Sequence, residues 1–145
     1  MASSPDADTA QGDTILFHLR QSFSKGDRNH EARFWYARQL CLMGRGGEAV
    51  PIFVGLKQLS VPLKQKRGVR GIVMEANGQP TSYYGQLYSK RPFYGFIRGD
   101  QDGLEAFVSS DEIDGGLDVM QTGQRVRYNL GFNLAGPVAL LVFSN

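Results

Sequence analysis

The chain has 145 residues, 41% of them hydrophobic and 11% aromatic, and a net charge of +2. This length provides for one ordinary domain or two very small ones, and it excludes a barrel enzyme with a full ring of loops. A single cysteine, Cys41, excludes an internal disulfide and leaves no cysteine cluster for zinc. Because no apolar run approaches the roughly 18 residues that span a bilayer and residues 1–13 lack a secretory signal, we expect a cytoplasmic protein without a membrane partner.

Helical periodicity dominates the first part of the chain. Residues 1–13 are small and polar, and we expect a disordered leader there. Beyond them, apolar side chains recur at spacings of three and four, which predicts a helical region over 14–62. We expect three helices in this region: one at about 14–24, one ending at Gly44, and one beginning near Glu48 with Pro51 in its first turn.

Small residues mark the expected contact between the second and third helices. Ala37 and Ala49 lie where two helices would touch, Gly44 lies at the turn between them, and Phe53 follows as a large apolar residue. At these offsets, the stretch from about 29 to 62 resembles a single tetratricopeptide unit. One such unit cannot bury both of its faces. The resemblance therefore implies either a docking surface for a protein partner or a structural spacer.

From residue 63 onward the pattern changes to short strands separated by turns, which is typical of a small barrel or sandwich. Turn signals occur at Asn77-Gly78 and Asp102-Gly103. We expect the first two strands to pair across Asn77-Gly78 as an added hairpin. The predicted strands cover residues 69–74, 82–89, 93–98, 104–109, 124–130 and 138–143.

Motifs in this strand region follow one another in a characteristic order. They are Gly85-Gln86-Leu87-Tyr88, Tyr94-Gly95-Phe96, the acidic turn at Asp102, a second aromatic strand with Phe107, Gly123-Gln124 and Gly136-Pro137. In this order and near this spacing they resemble a cold-shock domain, an antiparallel barrel of the OB type with five strands. The resemblance covers residues 84–143 and implies binding of single-stranded RNA or DNA. The whole chain is then of the α+β class, with a helical hairpin before an OB-type barrel over 63–145.

The two aromatic strands predict a surface on which bases stack. Alternation along a strand places Tyr94 and Phe96 on one face, with Gly95 pointing inward and leaving the space between the two rings open. Phe107 shares the outer face of the next strand. Bases of any identity stack on exposed rings, at about 1–3 kcal/mol each, so neither base preference nor RNA over DNA follows from this pattern. The candidate nucleic-acid-binding residues are Tyr88, Lys90, Arg91, Phe93, Tyr94, Phe96, Arg98 and Phe107.

An alternative is that the three rings pack under the helices or under the extra strand at 69–74. Charge is compatible with either interpretation. Residues 61–98 carry seven basic side chains and one acid, whereas residues 99–120 carry seven acids and no base. The basic segment could contact phosphates or form a solvated strand face. The acidic segment could direct a nucleic acid along one path or form a solvated loop.

Three departures from the cold-shock pattern keep a second function open. Ser109 replaces a histidine of the family, Tyr88 is the only aromatic residue near the family's Lys-Trp-Phe, and the connection between the first two barrel strands is about two residues shorter. The function that we expect from the resemblance is that of a non-catalytic module that binds single-stranded nucleic acid. The alternative is a protein-interaction or regulatory module of a larger protein, whose barrel has lost nucleic-acid binding.

Residues suited to catalysis are scattered along the chain. His18 and His30 have no cysteine or carboxylate at ligand spacing, and the glycines at 44–47 lack the lysine of a phosphate-binding loop. We expect Cys41 in a helix core. The sequence therefore predicts neither an enzyme nor a cofactor or metal site.

Overall fold

The computed structural model describes residues 30–101 and 103–145, and the chain divides into two units between Lys66 and Arg67. The predicted leader, the predicted helix at 14–24 and Asp102 lie outside the described residues. The described part of the first unit is helical, and the second unit contains a closed barrel of five strands. The predicted α+β fold is confirmed. In the described part of the chain, no helix is long and apolar enough to cross a membrane.

Two helices, α1 (His30–Leu42) and α2 (Gly46–Lys57), form the predicted hairpin. Ala37 and Ala49 are fully buried, as expected for small residues where two helices touch. Gly44 has a φ of +74°, a left-handed conformation that glycine adopts without strain and that reverses the chain after α1. The remaining core of the hairpin consists of Ala32, Phe34, Leu40, Cys41, Phe53 and Leu56.

The N-terminal turn of α2 differs from the prediction. The helix begins at Gly46, so Pro51 lies inside it rather than in its first turn. Arg45 accounts for the earlier start: its guanidinium donates two hydrogen bonds to Glu48, at 2.6 and 2.8 Å, and its carbonyl accepts one from the Glu48 amide at 3.1 Å. These three bonds close the first turn around two glycines that have little helical preference of their own.

A short third helix, α3 (Leu63–Arg67), forms in the basic segment before the first predicted strand, where the sequence predicts no helix. It follows directly after Pro62, whose carbonyl accepts hydrogen bonds from the amides of Gln65 and Lys66 at 2.9 and 3.1 Å. The Lys66 ammonium donates to the carbonyl of Lys57, at the end of α2, at 2.8 Å. Part of the basic segment is therefore ordered by local contacts.

The barrel consists of β1 (Ser82–Lys90), β2 (Tyr94–Gly99), β3 (Glu105–Ser109), β4 (Arg125–Asn133) and β5 (Gly136–Ser144). The strands close in the order β1-β2-β3-β5-β4, which fits an OB-type barrel. One pair departs from the predicted antiparallel arrangement, because β3 and β5 run parallel where Phe107 meets Val138. The long connection over residues 110–124 lets the chain cross the barrel before β4 begins.

Alternation along each strand places apolar side chains in the barrel interior. Two glycines lie where β1 and β2 approach most closely: a Cβ at Gly85 would overlap the carbonyl oxygen of Arg98, and one at Gly95 would overlap that of Ser89. Only glycine fits such positions. The buried core includes Leu87, Ile97, Ala106, Val108, Val126, Tyr128, Leu130, Phe132, Val138, Ala139 and Val142 on the strands, and Ile113, Leu117, Met120 and Leu134 between them.

The predicted strand at 69–74 does not form as a continuous strand, and it does not pair with β1 as expected. Gly71 has a φ of +64°, which interrupts the extended backbone. Arg70 forms an isolated bridge with Phe132, near the end of β4, and Met74 forms another with Pro80. The predicted turn at Asn77-Gly78 does form, so the added hairpin exists, but it is short and ends where β1 begins.

Candidate nucleic-acid interface

Three aromatic side chains lie together on the outer face of β2 and β3, and we call them the aromatic cluster: Tyr94, Phe96 and Phe107. Phe96 is the register partner of Phe107, and Tyr94 lies two residues before Phe96, at the start of β2. The rings of Tyr94 and Phe107 stack with centroids 5.6 Å apart and planes at 24°. Phe96 meets the same two rings edge-on, at 6.2 and 5.9 Å.

The aromatic cluster remains accessible to solvent. Tyr94 is 40% exposed and Phe107 is 37% exposed, while Phe96 is half-buried between them. The residues that alternate with the rings are buried: Gly95 and Ile97 on β2, and Ala106 and Val108 on β3. The predicted alternation of faces is therefore confirmed. The segment at 69–74 contacts β4 and the turn before β1, and it therefore does not cover the rings as one alternative required.

Gly95 has a different role from the expected one. The position of a Cβ there points toward the carbonyl oxygen of Ser89 and the side chain of Leu87, on the inner side of the sheet. The glycine therefore allows β1 to approach β2, and it does not keep the space between Tyr94 and Phe96 open. Those two rings lie on the same face of β2 and contact each other edge-on.

Tyr88 and Arg98 form a stacked pair beside the aromatic cluster. Tyr88 lies at the bulge in β1 between Leu87 and Ser89, and the guanidinium carbon of Arg98 lies 3.8 Å from its ring centroid. Arg98 also donates a hydrogen bond to Glu105 on β3 at 2.9 Å. This bond to Glu105 raises the pKa of the Arg98 guanidinium above its ordinary value. Glu105 therefore balances the charge of Arg98.

The connection between β1 and β2 presents the remaining predicted residues. It is a tight turn in which the Arg91 amide donates to the carbonyl of Tyr94 at 2.8 Å. Arg91 is exposed at this turn, and Phe93 is 81% exposed immediately before β2. The Lys90 ammonium donates to the carbonyl of Met120 at 2.9 Å, which ties the turn to the long connection after β3.

The acidic segment after β2 is partly neutralised within the barrel. Asp100 pairs with Arg125, whose Nη1 donates to Oδ1 at 2.6 Å, and the same guanidinium lowers the pKa of the Asp100 carboxyl. Glu112 accepts a hydrogen bond from the amide of Leu141 at 3.1 Å. Sequence reasoning did not identify Glu105 or Arg125 as charge partners, because both pairings depend on which strands are neighbours.

The structure brings most of the predicted site residues onto one side of the barrel. Tyr94, Phe96, Phe107, Tyr88 and Arg98 lie on three adjacent strands, β1, β2 and β3, with the tight turn between the first two. Within residues 30–101 and 103–145, no group of three or more histidine, cysteine or acidic side chains is placed to hold a metal ion.

Neither a comparison with protein-family models nor a comparison with curated proteins finds a match for this chain. The class of protein is therefore defined by the fold and the site themselves. It is an OB-like barrel, preceded by a helical hairpin, with an accessible aromatic cluster on two neighbouring strands. This arrangement is compatible with nucleic-acid binding.

Proposed function

We propose that this protein is a non-catalytic module that binds single-stranded RNA or DNA by base stacking. The observation that carries the proposal is the accessible aromatic cluster on β2 and β3, the face with which OB-type barrels bind oligonucleotides. Large contiguous apolar patches on a protein surface commonly mark interaction sites. The site residues predicted from the sequence keep their assignment in this proposal.

The predicted residues divide into those that stack on bases and those that contact phosphates. Tyr94 and Phe107 cover one face of each other, so bases stack on the outward parts of this pair, and Phe93 offers a separate ring at the head of β2. Lys90 and Arg91 supply positive charge for the phosphates. Arg98 is balanced by Glu105, so it extends the stacking surface through Tyr88 rather than adding net charge.

A fluorescence titration tests the proposal directly. Labelled oligo-U and oligo-T of about eight nucleotides, within the usual site size of one OB fold, are titrated with the full chain at about 50 and 200 mM salt. We expect saturable binding that weakens as salt rises. Phe107→Leu removes the ring but keeps an apolar side chain, and it should weaken binding about 5- to 150-fold, which corresponds to 1–3 kcal/mol of stacking.

Two controls keep this test specific. Val54→Ala removes an exposed apolar side chain from α2 and should leave affinity unchanged. Phe96 is less suitable as the tested residue, because it is less exposed than Phe107 and its removal would cost more packing. Absence of binding at either salt concentration, by a folded chain, would contradict the proposal.

The second candidate function is protein interaction through the same barrel face. It is favoured by one observation: Tyr94 and Phe107 stack on each other, and Arg98 is neutralised by Glu105, which reduces what the site offers to bases and phosphates. Under this alternative the full chain binds neither oligonucleotide. The titration separates the two candidates, because only nucleic-acid binding predicts saturable binding that weakens as salt rises.

A further inference from the structure

A second group of aromatic and basic side chains lies on the strands that the aromatic cluster does not use. Tyr84 on β1 is the register partner of Arg127 on β4, and Arg127 is the register partner of Phe143 on β5. The guanidinium carbon of Arg127 lies 5.6 Å from the ring centroid of Phe143. Tyr84 is 44% exposed and Phe143 is 40% exposed. The three side chains thus form an outward row across three strands.

Arg127 differs in charge balance from the other arginines of the barrel strands. Arg98 pairs with Glu105 and Arg125 pairs with Asp100. Among residues 30–101 and 103–145, no carboxylate forms an ion pair with Arg127, and its described contact is with an aromatic ring. A guanidinium lying over a ring keeps its N–H donors for a phosphate. This row therefore offers both stacking surface and unbalanced positive charge.

The row is continuous with the site on β2 and β3. The outward side chains of β1 are Tyr88, Gln86 and Tyr84, and successive members lie about 6.6–6.8 Å apart along an extended strand. Gln86 is the register partner of both Arg98 on β2 and Arg125 on β4. The outer face of β1 therefore connects the stacked pair of Tyr88 and Arg98 with Tyr84.

A cavity of about 300 Å³ opens beside Tyr84, between the start of β1 and the end of β2, with Asp100 and Gln101 in its lining. This volume is at the lower end of the range for small-molecule sites and provides room for a base. The lining combines an aromatic side with polar groups. Such a lining suits a flat heterocycle that has hydrogen-bonding edges.

We propose that Tyr84, Arg127 and Phe143 form a second stacking site, which holds further nucleotides of the same single strand that binds the aromatic cluster. This inference rests on the proposed function and extends it to a longer footprint. The strand passes from the aromatic cluster over Tyr88 and along the outer face of β1. It then stacks a base on Tyr84 beside the cavity and places a phosphate against Arg127.

The inference is tested by the dependence of affinity on oligonucleotide length. Oligo-U of about four and about twelve nucleotides, which bracket most of the site sizes seen for one OB fold, are titrated with the full chain. We expect wild type to bind the longer strand more tightly. The double variant Tyr84→Ala, Arg127→Gln should lose at least about fivefold in affinity for the longer strand, because it removes one stacking contact and one phosphate contact together. It should bind the shorter strand as wild type does.

A salt series and a matched variant complete the test. The slope of log K against log salt for the longer strand is negative, and it should become about 0.7 less negative in the Arg127→Gln variant, which corresponds to one lost phosphate contact on a single strand. Lys57→Gln removes an exposed charge from α2 and should change neither quantity.

The outcomes separate this inference from the proposed function. Binding of both strands by wild type, with the longer strand bound equally well by the double variant, overturns the second site and leaves the aromatic cluster intact as a site. Equal losses for both lengths in the double variant also overturn it. Absence of binding by wild type overturns the proposed function itself.

Discussion

The helical hairpin and the barrel each contain a group of three aromatic rings, and the centroid distances within the two groups are similar. In the hairpin, Phe34 lies edge-on to Trp35 at 5.2 Å and to Phe53 at 6.4 Å. In the barrel, the ring centroids of the aromatic cluster lie 5.6–6.2 Å apart. The two groups differ in exposure, because Phe34 is fully buried whereas Tyr94 is 40% exposed.

This difference teaches that ring contacts alone do not distinguish a core from a binding surface. The buried rings of the hairpin, Phe34 and Phe53, stabilise the fold because their apolar area is removed from water. The rings of the barrel leave a large part of that area in water, where a base can cover it. Variants in the two regions should therefore separate stability from binding.

The largest effect is expected for Phe34→Ala. A buried phenylalanine replaced by alanine costs about 3–5 kcal/mol through lost burial and the remaining cavity. We expect the helical circular dichroism signal at 222 nm to be lost at a lower denaturant concentration in the variant than in wild type. Oligonucleotide affinity, measured where the variant is still folded, should equal that of wild type. A parallel loss of affinity would show that the hairpin contributes to the binding surface.

Gly95→Ala should destabilise the barrel by about 1–3 kcal/mol, the usual cost of inserting an atom into a packed site. The Cβ would overlap the carbonyl oxygen of Ser89 on β1. Gly47→Ala in α2 is the matched control, because no atom lies within 4 Å of the added Cβ there. That substitution should raise stability by about 0.4–1 kcal/mol. Equal urea midpoints for the two variants would contradict the close approach of β1 and β2.

Phe93→Ala should weaken oligonucleotide binding by about tenfold, while the free energy of unfolding stays within about 0.5 kcal/mol of wild type. The Phe93 side chain is 81% exposed, so it buries little apolar surface when the chain folds and its removal costs little stability. Affinity for labelled oligo-U and the thermal midpoint are measured on the same sample. An unchanged affinity would restrict the site to the aromatic cluster itself.

The smallest effects are expected for two exposed ion pairs, Arg45–Glu48 and Arg125–Asp100. Arg45 lowers the pKa of Glu48 within one helical turn, whereas Arg125 lowers the pKa of Asp100 across 25 residues. A lowered pKa in the folded state gives stability that is present above the ordinary carboxyl pKa, 4.5 for Glu48 and 3.8 for Asp100, and is lost as pH falls further.

Asp100→Asn should therefore lower the thermal midpoint slightly at pH 7, and the difference from wild type should be smaller at about pH 3, below the ordinary carboxyl pKa of 3.8. Glu48→Gln should behave in the same way, with a smaller change because its pair is local and stabilises less of the fold. Melting curves at both pH values measure this. A difference that grows on acidification would contradict the assignment of either pair.

Local patterns in the sequence determined much of this protein. Apolar spacings of three and four predicted the α1 and α2 hairpin with its small contact residues, and alternation predicted which way Tyr94, Phe96 and Phe107 point. These features depend on neighbours within a few residues along the chain. The five barrel strands were predicted to within a few residues for the same reason.

Tertiary structure alone decided the pairings between distant residues. Gly71 interrupts the predicted strand at 69–74, Glu105 balances Arg98, and Gly95 accommodates β1 rather than separating two rings. The row of Tyr84, Arg127 and Phe143 joins three strands that are far apart in sequence. Strand order and register set these contacts, and both follow from closing the whole barrel around one core. No local pattern in the sequence contains that information.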